Sequence, residues 1–335
     1  MSPVHGLILG FVQGLTEFLP VSSSAHLILV PWLWGWPPHS LTFDVALHMG
    51  TLAALLAYFG RDWWELVMAW LPPGAMADIR RRLTFGQRER ANPSPRSRAG
   101  AGQPRQEVIW TPDTGIGAGS ARGSARGEHV EDAQAVVAQL GMNREVRRRL
   151  GISLVVATIP GALIGASTAS RLEESLRSPI LIAMLMVVAA IVLAAADRAG
   201  AQELEVEDVG LPQAAMVGVA QALALAPGVS RSGITIAAAL FLGLTRPAAA
   251  RFAFLLAAPI TAGAGLFQLR HLVRGGLPAD ERAAFAIGIV ASFAVGMLAI
   301  GGLLRYLRTR SLDVFVGYRL PAAMVVLLVA GLGWR

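Results

Sequence analysis

The chain has 335 residues, of which 54% are hydrophobic and only 15% charged, and its mean hydropathy is +0.53. Soluble domains carry roughly 25% charged residues, so the composition excludes an ordinary water-soluble globule and points to an integral membrane protein. The net charge of +7 rests on arginine alone, since there is no lysine, and the lack of cysteine excludes disulfides and thiolate metal sites.

In chain order, the first apolar segment, 4–34, carries Gln13 and Glu17 and follows no basic stretch, so it is expected to stay in the mature protein rather than be cleaved as a signal. It is long enough for two half-length helices, but Pro20 and a run of serines break it in the middle, as in a re-entrant hairpin. Apolar runs follow at 43–59, 150–168 and 179–196. A second broken segment, 211–243, is interrupted at Pro227, and three more runs occupy 247–269, 284–304 and 319–334. Each run lies at or a little under the roughly 20 residues that cross a bilayer as a helix, so six crossings are predicted.

Fourteen of the 29 arginines fall between Arg80 and Arg149, in a stretch rich in Gly, Pro, Ser and Ala. The predicted element is a disordered cytoplasmic loop, 73–147, following the positive-inside bias. This reading is preferred to contact with nucleic acid or anionic lipid, and no nucleic-acid partner is expected. Trp32, Trp34, Trp36, Trp63, Trp64 and Trp70 cluster at the predicted membrane borders, as in an aromatic belt.

Residues 10–26, GFVQGLTEFLPVSSSAH, and 218–235, GVAQALALAPGVSRSGIT, match at an offset of 208. Gln13 then faces Gln221, Ser22 faces Ser230 and Ser24 faces Ser232, while the prolines are out of register by one. Leu41–His48 and Ala250–Ala257 form a weaker second match. A hairpin returns to its own side and three crossings are an odd number, so the second half starts from the opposite face. The expected architecture is all-α and polytopic, an inverted repeat of residues 1–196 and 197–335 with the broken helices meeting near the midplane. Arginine placement puts the long loop in the cytoplasm and the mouth of the first hairpin on the outer face.

An ionisable group inside a bilayer costs roughly 3 kcal/mol or more and tends to persist where something uses it. Glu17, His26 and Arg231 all lie in the hairpin cores. Glu17 could also pair with Arg231 merely to join the hairpins, and His26 could be a satisfied buried imidazole. Gln13 and Glu17, spaced i, i+4, share a helix face and could hold a hard divalent cation, Mg²⁺ or Ca²⁺, with phosphate completing the shell. Ser22, Ser23, Ser24 and His26 open a half-helix whose free N–H groups favour an anion. Gly228, Ser230, Arg231, Ser232 and Thr235 offer close backbone approach, hydroxyls and a guanidinium fork. Together these describe a phosphate cradle. No GxxxxGK[ST] or GxGxxG motif is present, so an ATP-driven pump is disfavoured. Asp44 and His48 support the site or cap a helix; His5, His39, His129 and His271 are read as solvated.

EFLPVSSSAHL (17–27), FDVALHMGTLAAL (43–55) and PGVSRSGITIA (227–237) resemble the bacterial undecaprenyl-diphosphate phosphatases, also called bacitracin-resistance proteins. The resemblance spans both halves. It implies an inner-membrane enzyme that removes one phosphate from undecaprenyl diphosphate and so regenerates the lipid carrier for cell-wall synthesis. It also implies catalytic roles for Glu17, Ser23, His26 and Arg231, with Gln13 standing where the family allows Glu or Gln. That Gln removes one negative charge from the cation holder. The long 73–147 insert is unlike the compact family pattern. The nucleophile is left open among His26, Ser23 and water, and a homodimer remains an open expectation. The alternative is a transporter or lipid flippase, since inverted repeats with broken helices are common in secondary transporters.

Overall fold

The computed structural model describes residues 1–72, 144–167, 177–275 and 281–333. Most of the predicted arginine-rich loop, together with His129, lies outside them. The described residues are helical, with a single isolated β-bridge between Leu204 and Leu244. The helices are α1 (Pro3–Phe18), α2 (Ser23–Trp34), α3 (Leu41–Tyr58), α4 (Gly60–Trp70), α5 (Arg144–Ser167), α6 (Pro179–Ala199), α7 (Leu211–Ala222), α8 (Arg231–Phe241), α9 (Arg246–Gly275), α10 (Arg282–Tyr306) and α11 (Asp313–Gly331).

The chain divides into two compact units. One comprises Met1–Leu66 and Arg147–Arg335 and contains both hairpins; the other is Val67–Val146, in which Arg144 Nε donates to the Ala69 carbonyl at 3.1 Å. Among the described residues, α3, α5, α6, α9, α10 and α11 include segments long and apolar enough to cross a membrane, one for each predicted run. Their ends shift in informative ways. α5 begins at Arg144, inside the stretch assigned to the loop, and α11 begins at Asp313 rather than 319, which moves Arg319 from a helix end into a helix interior.

The two broken segments form helix–turn–helix hairpins. α1 has 16 residues and α2 has 12, so at about 1.5 Å per residue neither spans the roughly 30 Å hydrocarbon core. Ser2 caps α1 with Pro3 in its first turn, and α1 ends at extended Leu19 just before Pro20. Both second half-helices begin alike. Ser22 (φ 77°) and Ser230 (φ 76°) precede α2 and α8, and their hydroxyls accept from Ala25 N and Gly233 N. A positive φ is uncommon for a non-glycine residue, so one unusual turn occurs twice, at the positions matched by the offset of 208. Gly228, at φ +103°, also passes close to α6, where a Cβ would lie 2.6 Å from the Ile182 carbonyl.

The first half-helix of each hairpin packs on a crossing from the other half of the chain. α1 lies against α10 along Gly6, Gly10 and Gly14, which meet Ala284, Gly288 and Ser292 so closely that an added Cβ would come within 2.3 to 2.7 Å of a carbonyl. α7 meets α5, where a Cβ on Gly218 would fall 2.5 Å from the Ala157 carbonyl. Overpacking of this kind costs about 1–3 kcal/mol, occasionally more. Gly10→Leu is therefore expected to lower the melting temperature in detergent by several degrees, with Gly302→Ala, which has open space, as the unaffected control. Equal melting of Gly10→Leu and wild type would mean that α1 does not seat on α10.

Beneath the hairpins, Phe18, Phe252, Phe254, Leu255 and Ile300 belong to the largest apolar cluster, with the Phe18 and Phe254 rings edge to face at 5.3 Å. This packing fixes the end of α1, and with it Glu17.

Candidate active site

The two turns touch. Gly228 N–H donates to Ser22 Oγ at 3.2 Å and Ser232 Oγ–H to the Leu19 carbonyl at 3.1 Å, so each hairpin satisfies a polar group of the other. Across this junction Arg231 Nη1 stands 3.8 Å from Glu17 Oε1. Its nearer partner is Thr261 Oγ1 of α9, at 2.5 Å.

Glu17 is the hub. Its side chain is only 8% exposed, and Oε2 accepts from Ser23 Oγ at 2.5 Å and from Gln13 Nε2 at 3.0 Å, with His48 Nε2 at 3.4 Å. Burying a carboxylate requires such company. Of the predicted site residues, the fold gathers Gln13, Glu17, Ser23, His48 and Arg231 into one cluster.

His26 stands apart from that carboxylate. Its Nδ1 lies 2.7 Å from the Ser22 carbonyl and its Nε2 lies 2.8 Å from the Tyr318 hydroxyl, with the two rings stacked. A carbonyl only accepts, so Nδ1 carries the proton and Nε2 receives the Tyr318 O–H. Ser23 Oγ is bonded to Glu17, and it is His48 that approaches Glu17. His48 Nδ1 donates in turn to the Asp44 carbonyl at 2.7 Å, while the Asp44 carboxylate meets His39 Nε2 at 2.6 Å. The expectation that His39 is solvated is corrected: its side chain is 8% exposed because it packs on Phe43 and pairs with Asp44. His5 likewise stacks on Trp36, with ring centroids 4.2 Å apart.

Several hydroxyls predicted to face phosphate are used by the turns themselves. Ser22 caps α2 and is fully buried, Ser24 Oγ lies 3.3 Å from it, and Ser230 Oγ lies 3.2 Å from Ser232 Oγ. Thr235 Oγ–H donates to the Arg231 carbonyl at 2.7 Å, one turn back on its own helix. These groups shape the loop that presents Ser23 and Arg231.

Besides Thr261, two further residues were not anticipated. Tyr318 meets His26, and Arg319, with no exposed surface, donates to the carbonyls of Met186, Pro20, Gly228 and Val229. The available signal was an arginine within the last apolar run, an arrangement that commonly marks function.

The fit of a divalent cation rests on one buried oxygen. Gln13 Oε1 has no hydrogen-bond partner, while Nε2 of the same amide donates to Glu17, so the two side chains bring hard oxygen donors to one helix. Among the described residues no group of three His, Cys, Asp or Glu could hold a metal ion. The residues thus fit an ion held by one or two side chains and completed by phosphate and water, the usual arrangement for Mg²⁺.

Proteins similar to this chain match it over nearly its whole length. Proteins named undecaprenyl-diphosphatase from Geobacter metallireducens and Geobacter sulfurreducens are each 40% identical to it, over 98% of both chains. One of the same name from Desulforudis audaxviator is 39% identical, again over 98% of both. Relatives of matching length show that the long insert does not set this chain apart from them. The profile of the family described as bacitracin resistance protein BacA matches residues 6–86 and 126–325, and the chain belongs to that family.

Proposed function

We propose that the protein is an integral membrane phosphatase that hydrolyses undecaprenyl diphosphate to undecaprenyl phosphate and inorganic phosphate. By recycling the lipid carrier for peptidoglycan synthesis it would also confer bacitracin resistance. The names of its relatives support this reading. The observation that carries it is the junction at which a buried carboxylate, bonded to a serine of its own hairpin, faces an arginine from the second, beside the first turns of α2 and α8.

Serine, carboxylate, arginine and helix N-termini are the parts that phosphoryl transfer uses: nucleophile, base and a fixed positive field. The terminal phosphate docks between the N-termini of α2 and α8, with the prenyl chain left among the helices. Arg231 forks onto the phosphate oxygens. Ser23 Oγ attacks the terminal phosphorus while its proton passes to Glu17, and the bond from phosphorus to the bridging oxygen breaks. Glu17 returns the proton to the departing lipid phosphate. Water then attacks the phosphoserine, giving a proton to Glu17 that is passed on to Ser23 Oγ as inorganic phosphate leaves. His48 and Gln13 keep the carboxylate oriented. Gln13 and Glu17 would hold Mg²⁺ or Ca²⁺, which when bound supplies neutralising charge to the phosphate. We place the enzyme in the bacterial inner membrane, as two inverted halves, with its site open to the outer face and the arginine-rich loop in the cytoplasm.

Phosphate release by the purified protein in detergent tests the assignment, because a micelle has no two compartments and cannot report transport. Release from a prenyl diphosphate with Mg²⁺ or Ca²⁺ is the expected result. No release over a range of both ions would reject it.

Tyr318→Phe separates the roles of Ser23 and His26. It removes the hydroxyl on His26 Nε2, a bond worth about 1 kcal/mol, so kcat is expected to change about five-fold or less. A loss of about a hundred-fold would transfer the proton chemistry to the His26–Tyr318 pair.

A further inference from the structure

We propose that Arg319 is a positioning residue that locks the two turns together from behind, setting the distance between Ser23 and Arg231 without touching substrate. For what the turns do, this rests on the phosphatase reading; how they are held stands independently of it.

Arg319 is in α11, yet all four of its acceptors come from other segments. Nε donates to the Met186 carbonyl of α6 at 3.2 Å, and Nη1 to Pro20, in the first turn, at 3.0 Å. Nη2 donates to two carbonyls of the second turn, Gly228 at 2.6 Å and Val229 at 3.2 Å. One planar guanidinium thus bridges both turns and a crossing. Lysine, with a single ammonium on a flexible stem, cannot hold that fork geometry.

The four acceptors are all neutral backbone carbonyls. A cation buried this way is costly, which argues that the site uses it. The space is also prepared: a Cβ on Gly233 would lie 3.2 Å from Nη1, so glycine in the first turn of α8 admits the guanidinium. A trans peptide points its N–H opposite to its carbonyl. Capturing the Val229 carbonyl from behind therefore aims the Ser230 N–H away from Arg319.

The test compares wild type with Arg319→Gln and Arg319→Lys by backbone hydrogen exchange, melting temperature and phosphate-release kinetics. Arg319→Gln is expected to raise exchange about ten-fold or more at 20–24 and 227–232 together, with 50–56 of α3 unchanged. Displacing reacting groups by about 1 Å can cost a hundred-fold, so kcat is expected to fall by about that factor. Arg319→Lys keeps the charge but not the fork and is expected to stay below about a tenth of wild-type kcat. Full kcat in the lysine variant, or loosening of one turn alone, would overturn the proposal. So would failure of even the lysine variant to fold, because Arg319 would then serve folding as a whole. If Glu17→Gln and Arg231→Ala both released phosphate normally, the phosphatase site would be wrong while the exchange result stood.

Discussion

Arg231→Ala is expected to reduce phosphate release from a prenyl diphosphate by about a thousand-fold, with the loss mainly in kcat. Arg231 is the guanidinium at the hairpin junction, tied to Thr261 and 3.8 Å from Glu17. Its side chain is 29% exposed, so it can reach a ligand without leaving the junction. Removing one preorganised donor to a developing oxyanion costs about 10²–10³, and removing a catalytic arginine from phosphoryl transfer about 10³–10⁵. Arg231→Lys restores charge but not the bidentate fork, so partial recovery is expected. Activity of the alanine variant within about ten-fold of wild type would show that Arg231 only joins the hairpins.

Glu17→Gln is expected to cost about as much, again near a thousand-fold, while the protein still folds. Glutamine keeps the shape of the side chain and can still accept from Ser23 and Gln13, but it cannot take a proton at neutral pH. Alanine is the less clean choice, because it would leave Arg231 and His48 without the carboxylate they face. Losing one partner of a buried pair costs about 3–5 kcal/mol, which mixes stability with chemistry. Kinetics alongside melting curves separate the two: a glutamine variant that melts like wild type and turns over slowly is the expected outcome. A variant that turns over normally would remove Glu17 as the base.

Most of the helical order was legible because membrane segments announce themselves locally. An apolar run must be about as long as the bilayer is thick, and a proline followed by serines marks the places where such a run breaks. Those two signals found both hairpins and the six crossings. The matched serines carried further than pattern, since Ser22 and Ser230 share a positive φ and the same cap.

What stayed hidden depended on contacts distant in sequence. Arg319 joins Met186, Pro20, Gly228 and Val229, acceptors from three separate segments, and no periodicity reveals such a meeting. Starting the last span at 319 also placed this arginine at a membrane border, where its charge would need no partner. For the same reason the chain alone did not show which histidine approaches Glu17. His26 lies nearer to it in sequence, but the start of α2 turns that ring toward Tyr318, and α3 brings in His48. Thr235 looked available to phosphate until helix geometry placed its hydroxyl on the carbonyl four residues back.

If two hairpins from opposite halves of the chain close on one phosphate group, a structure with bound pyrophosphate will show it. One phosphate is expected to contact both the Arg231 guanidinium and the Ser23 hydroxyl, with the first N–H groups of α2 turned toward it. Pyrophosphate bound to one hairpin alone, or elsewhere on the protein, would rule out a shared phosphate cradle.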